Sequence, residues 1–179
     1  MLAGRGARMF HRVDALEHRL CRRLNRGVRS PALRELCCVA SRLGDGIIWY
    51  LLILMIPVWY GQAGLKSALQ MAVVGLIGVG LYKLLKQRLV RERPYIRFDG
   101  ILAGAAPLDR YSFPSGHTLH AVSFTMIATA HFPELGIVLV PFALLIGASR
   151  VVLGLHYPTD VAAGAVLGAT LATLGLALI

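Results

Sequence analysis

Residues 160–179 read DVAAGAVLGATLATLGLALI. One charge stands at the first position and none follows it. About 20 apolar residues are what an α-helix needs to cross a bilayer core of ~30 Å. Ala163, Gly164, Gly168 and Ala169 are small where close helix packing in lipid requires it. The stretch predicts a membrane-spanning helix, and the chain before it divides in the same way. Residues 135–153 and 117–132 predict two more spans. Residues 66–85, around SALQMAVVGLIGVGLYKLL, predict another. The first lies at 47–60, IIWYLLILMIPVWY, with its flanks. Trp49, Tyr50, Trp59 and Tyr60 are expected to anchor that span at the interfaces. The predicted fold class is all-α: an integral membrane helical bundle of about five spans. Composition agrees, since 56% of the residues are hydrophobic against ~45–50% in soluble domains.

The N-terminal part differs. Residues 8–27 carry too many charges to cross a bilayer, yet Val13, Leu16, Leu20 and Leu24 recur at helical spacing. They predict an amphipathic surface helix, interrupted by Gly27 and Pro31. A second amphipathic piece follows at 33–44. The chain thus divides into an arginine-rich segment, 1–43, and a membrane domain, 44–179. The N-terminus is basic, but no apolar region with a cleavage site follows it, so no signal peptide is read. Cys21, Cys37 and Cys38 give no disulfide framework. The formal net charge is +10. A basic balance fits nucleic acid or anionic lipid, and the apolar blocks favour lipid headgroups and phosphate over nucleic acid.

Alternating spans put four segment ends on one face: the end of span two at Lys86–Pro94, the start of span three at His117, the end of span four at Ser149-Arg150, and the start of span five at His156–Asp160. Ionisable groups at a membrane mouth are costly and mark function. Lys86, Arg93 and Arg150 suit the oxygens of a phosphate. Ser115 and Gly116 open span three, where helix N–H groups favour an anion. Two histidines can divide nucleophile and proton work. Asp160, four residues after His156, can fix its tautomer. Three nearby cations would repel a divalent ion, so no metal and no other cofactor is expected.

These residues resemble the type 2 phosphatidic acid phosphatase family. The family pattern is a lysine, six residues and Arg-Pro, then Pro-Ser-Gly-His, then Ser-Arg, five residues, a histidine, three residues and an aspartate. The chain carries Lys86-QRLVRE-Arg93-Pro94, Pro114-Ser115-Gly116-His117 and Ser149-Arg150-VVLGL-His156-YPT-Asp160, in that order. The resemblance implies that Lys86, Arg93, Ser115, Gly116 and Arg150 bind phosphate. It implies that His156, oriented by Asp160, attacks phosphorus to give a phosphohistidine, and that His117 protonates the leaving group. It implies a lipid substrate of the phosphatidate, phosphatidylglycerophosphate or polyprenyl pyrophosphate class. A lipid phosphotransferase using the same intermediate, or a non-catalytic lipid-binding protein, are the alternatives. Oligomeric state is left open.

The resemblance places the protein in a bacterial-type inner membrane. Family members usually have six spans and face the site outward. Five spans put the N-terminus on the site's side, with ten arginines up to Arg42, and the positive-inside rule makes that side cytoplasmic. The two arguments point in opposite directions. Among the remaining residues, Arg88, Arg91 and Arg97 read as lipid-headgroup contacts, and His120 as packing or support. His131 and Glu134 read as far-end residues. Asp45 reads as a cap on span one. Asp99, Asp109 and Tyr111 read as a solvated loop.

Overall fold

The computed structural model describes residues 3–107 and 109–178, with side chains described from residue 12 onward. All named elements are helices: α1 Ala3–Asn25, α2 Pro31–Arg42, α3 Ile48–Leu89, the one-turn α4 Pro94–Arg97, α5 Gly116–His131, α6 Gly136–Val152 and α7 Pro158–Leu178. The helix α3 is two arms. Gly61, with φ 58 and ψ −132, breaks it, and Gly64 lies directly against the Ile56 backbone. Eight residues along a straight helix would separate them by ~12 Å, so the chain folds back on itself at Gly61. The arms 48–60 and 62–89, with α5, α6 and α7, are the five rods of the bundle.

Three helical stretches are long and apolar enough to cross a membrane: Pro31–Leu89, which contains both arms, Pro133–Val152 and Pro158–Leu178. Leu54, Val58, Leu76, Ile137, Val138, Leu144, Val166 and Leu178 all point outward, each more than half exposed. A coat of large apolar side chains is what a bilayer solvates and water does not. The protein is a membrane-bound helical bundle.

α5 sits in the middle. Lipid supplies no hydrophobic drive between helices, so association rests on close packing. Small residues give it: Gly164 and Gly168 of α7 touch the backbone of Ser115 and Leu119, and Gly75 and Gly78 of α3 receive Phe124 and Leu119. Trp49, Ile56, Met71, Val74, Phe124, Ile127, Ile146 and Ala172 fill the core between them. Trp49 is therefore not the interfacial anchor expected from its position. It is 1% exposed, and its indole N–H donates to the Gly44 carbonyl at 3.2 Å. Tyr50 and Trp59 do face outward.

α1 caps the site end of the bundle. Its Leu16, Leu20 and Leu24 face away from the protein, while Asp14, Cys21 and Asn25 are buried against it. Asn25 donates to the carbonyls of Leu102 and Val152, both at 2.9 Å. The leucine stripe is thus turned outward, as a helix lying on a bilayer requires. The arginine-rich segment lies at the same end as the motif residues.

Candidate active site

Each motif residue is placed by a local device. α3 continues past the expected end of span two to Leu89, so Lys86 sits on its last turn. Val90, at φ 24, stops the helix; a β-branched residue there is an outlier. Pro94 opens α4 and holds Arg93 extended, at φ −74 and ψ 152. Ser115 is the N-cap of α5, its hydroxyl accepting from the Thr118 N–H. Arg150 lies in the last turn of α6. A turn through Gly154, at φ 71, follows, and the N–H groups of Leu155 and His156 both donate to the Arg150 carbonyl at 3.1 Å. Pro158 then starts α7 with Asp160 in its first turn. The Ser115 N–H donates to the Asp160 carbonyl at 3.1 Å, which ties the two histidine-bearing segments together.

A cavity of about 400 Å³ is lined at its polar end by Lys86, Arg93, Asp109, Gly116, His117, Arg150 and His156. Its other walls are apolar: Trp49, Ile53, Met71, Val79 and Phe124, with Gly75 and His120. Tyr50 and Leu76, which also line it, are 68% and 75% exposed. The cavity therefore opens through the side of the bundle, between the two arms of α3.

Six of the eight expected residues face this space. The other two stand behind it. The Ser115 hydroxyl is spent inside the fold, 3.0 Å from the Thr118 hydroxyl. Asp160 is fully buried; its Oδ2 accepts from the Tyr157 N–H at 2.8 Å and lies 3.5 Å from His156 Nδ1. That ring nitrogen has no hydrogen-bond partner among the described residues, while Nε2 points toward Arg93 Nη1 at 3.3 Å. Burial first, then the charges of Arg150, Arg93 and Lys86, hold the His156 pKa well below 6.5. Its imidazole is neutral, with a lone pair to offer.

Three expectations about charged residues are overturned. Arg91 is not a headgroup contact. It is 1% exposed, lies 3.8 Å over the Tyr157 ring, and donates to Asp160 Oδ1 at 2.5 Å, Asp14 Oδ1 at 2.7 Å and Glu17 Oε2 at 2.8 Å. A buried guanidinium needs such partners, and α1 brings two of them. Asp109 is not a free loop residue either. It bridges Lys86 Nζ at 2.6 Å and Arg93 Nη2 at 2.8 Å. Burial pushes its carboxyl up, but Lys86 and Arg93 outweigh this and hold it below the usual 3.8. Asp45 caps nothing at the start of α3 and faces His117 instead. Arg88 is exposed as expected. His131 meets Gln70 at 2.6 Å, at the far end of α5.

Lys86, Arg93, His117, Arg150 and His156 converge on one cavity with Asp160 behind His156, and the PAP2 superfamily model matches residues 64–179 of the chain. The chain belongs to the PAP2 superfamily. It is 30% identical over 160 residues to a lipid A 1-phosphatase of Rhizobium etli, covering 78% of this chain and 68% of the relative. It is 32% identical over 157 residues to phosphatidylglycerophosphatase B of Bacillus subtilis, covering 79% and 72%. The crystal structure of a transmembrane PAP2 type phosphatidylglycerolphosphate phosphatase from Bacillus subtilis superposes with a TM-score of 0.75 at 28% identity, covering 98% of this chain and 90% of that one. The chain is a membrane phosphatase of this superfamily.

Proposed function

We propose that the protein hydrolyses a lipid phosphate or pyrophosphate ester through a phosphohistidine on His156. The observation that carries this reading is the cavity itself: neutral His156, His117 and three cations share one polar end, and an apolar trough leads from it to the side of the bundle. Phosphoryl transfer asks chiefly for positioning and charge stabilisation. Lys86, Arg93 and Arg150 supply charge to the phosphate oxygens, and the Gly116 N–H region adds a helix N-terminus. Nε2 of His156 attacks phosphorus. Asp160, held by Arg91 and the Tyr157 N–H, takes Nδ1–H and stabilises the cationic ring. His117 gives its proton to the departing oxygen, then takes one from the water that cleaves the phosphohistidine.

The substrate is a lipid whose tail lies in the trough between the α3 arms and whose phosphate reaches the cations without leaving the bilayer plane. Members of the phosphatidate, phosphatidylglycerophosphate and polyprenyl pyrophosphate classes present the required group. Purified protein in detergent is expected to release phosphate from at least one of a panel of these lipids. His156→Ala should abolish the release while remaining folded, and acid-labile phosphate should be trapped on His156. Near-full turnover by that variant would end the reading.

A further inference from the structure

The residues facing His117 leave one carboxylate that the motifs do not use. Asp45 Oδ1 lies 3.4 Å from His117 Nε2, longer than a hydrogen bond but within ion-pair reach. The turn Leu43–Ile47 puts it there. Gly46, at φ 133, bends the chain between α2 and α3, and Asp45 lines the cavity with a side chain 42% exposed. The other charged or titratable groups around His117 are Lys86 on α3, Arg150 on α6, His156 in the loop before α7 and His120 on its own helix. Arg93 and Asp109 lie on the same cavity wall, and Asp109 is bound to Lys86 and Arg93. The cations in this set oppose a proton on His117. Asp45 is the carboxylate in contact with it.

We propose that Asp45 is a positioning residue for His117, aiming the imidazole at the leaving oxygen and favouring the imidazolium that the acid step needs. The inference rests on the phosphohistidine reading above. As the bond from His156 Nε2 to phosphorus forms and the phosphorus–oxygen bond to the lipid breaks, the proton on His117 passes to that oxygen. From a phosphate monoester the lipid leaves as a neutral alcohol, from a pyrophosphate as a lipid phosphate, and His117 is left neutral, ready to take a proton from water. An opposite charge at 3.4 Å favours the imidazolium before this step. After it, the same charge makes the neutral ring a stronger base. A departing alkoxide would meet the Asp45 charge, so the carboxylate also disfavours loss of the lipid unprotonated.

The test uses the full-length protein in detergent, with Asp45→Asn, and dodecyl phosphate and 4-nitrophenyl phosphate as probes. Asp45 is partly exposed and caps no helix, so the variant should fold; Asp45→Ser serves in its place if Asn does not. On dodecyl phosphate, whose alcohol must be protonated, kcat/KM is expected to fall roughly 10-fold to 100-fold, within the range of general-acid effects. The basic limb of its pH profile should move to lower pH. On 4-nitrophenyl phosphate, whose phenolate leaves without a proton, turnover should stay within about threefold or rise. Added to His117→Ala, Asp45→Asn should cost little more, as groups acting as one unit do. An unmoved basic limb, or equal losses on both probes, overturns the proposal. If the wild type releases no phosphate from any substrate, the phosphatase reading itself fails, which is a distinct result from an active wild type with an indifferent Asp45→Asn.

Discussion

Lys86 Nζ stands 2.6 Å from Asp109 Oδ2, and the same carboxylate reaches Arg93. A carboxylate thus holds two of the three cations assigned to phosphate. On the proposed reading substrate has to take Lys86 and Arg93 from Asp109, and Asp109→Asn is expected to lower the inhibition constant for inorganic phosphate by roughly 2-fold to 5-fold, the scale of a half-exposed ion pair. The Asp109 carboxyl titrates below 3.8. It stays ionised throughout the neutral range, so the gain should be the same at about pH 6 and about pH 8. A weaker inhibition by phosphate in the variant would mean that Asp109 shapes the site instead of competing for it.

Arg91 links the N-terminal helix to Asp160, the carboxylate behind His156. Removing it leaves the buried Asp160 without its cation and Asp14 with Arg97 alone among the described residues, while Glu17 keeps Thr159. Arg91→Met is expected to cost about 3–5 kcal/mol of stability, as breaking a buried ion pair does. The Asp160 carboxylate also loses its fixed position, and kcat should fall on the order of 10²-fold with a smaller change in KM. Arg91→Lys should recover part of the stability and less of the rate, since an ammonium does not span three carboxylates as a planar fork does. Thermal melts and steady-state kinetics in one detergent check both.

The His156 imidazole is neutral when folded, its pKa well below 6.5. In the unfolded chain it titrates near 6.5. Between those values the unfolded state binds a proton that the folded state does not. This contribution to stability is complete above about pH 6.5 and declines as pH falls below it. The Tm is expected to drop between about pH 7 and about pH 5, and His156→Gln should flatten that slope. Identical slopes for both proteins would count against the neutral assignment.

Glycines on two helices should separate cleanly. A Cβ at Gly168 would strike the Leu119 carbonyl oxygen, a backbone atom that cannot rotate away. Gly168→Ala should cost about 1–3 kcal/mol and reduce activity, because α5 carries His117. At Gly80 a Cβ meets nothing within 4 Å among the described residues. Gly80→Ala should be neutral or gain up to ~1 kcal/mol from helix propensity.

What the sequence made legible follows from where information is local. His156 and Asp160 are placed by one turn and one helix start, so their spacing in the chain is their spacing in space. Lys86 and Arg93 flank one helix end in the same way. The span order then puts these pieces on one face. Asp109, Asp45, Asp14 and Glu17 carry no such signal. Their partners lie 16 to 142 residues away, chosen by a loop path and by the way α1 packs. Arg91 was the exception, because its signal was present: it is two residues from Arg93 on an extended segment, and such residues share a face. A motif that buries Arg93 beside His156 buries Arg91 beside Asp160. Trp49 was misplaced for the opposite reason. Aromatic position along a span says how deep a residue sits, and only packing against Phe124 and Phe142 decides whether it faces lipid or protein.

The side opening between the two arms of α3 carries a kinetic consequence. A lipid that enters there encounters the enzyme by diffusing in two dimensions, so what sets the encounter rate is its mole fraction in the surface and not its amount per volume of solution. Diluting the substrate with inert detergent at constant bulk concentration should slow the reaction.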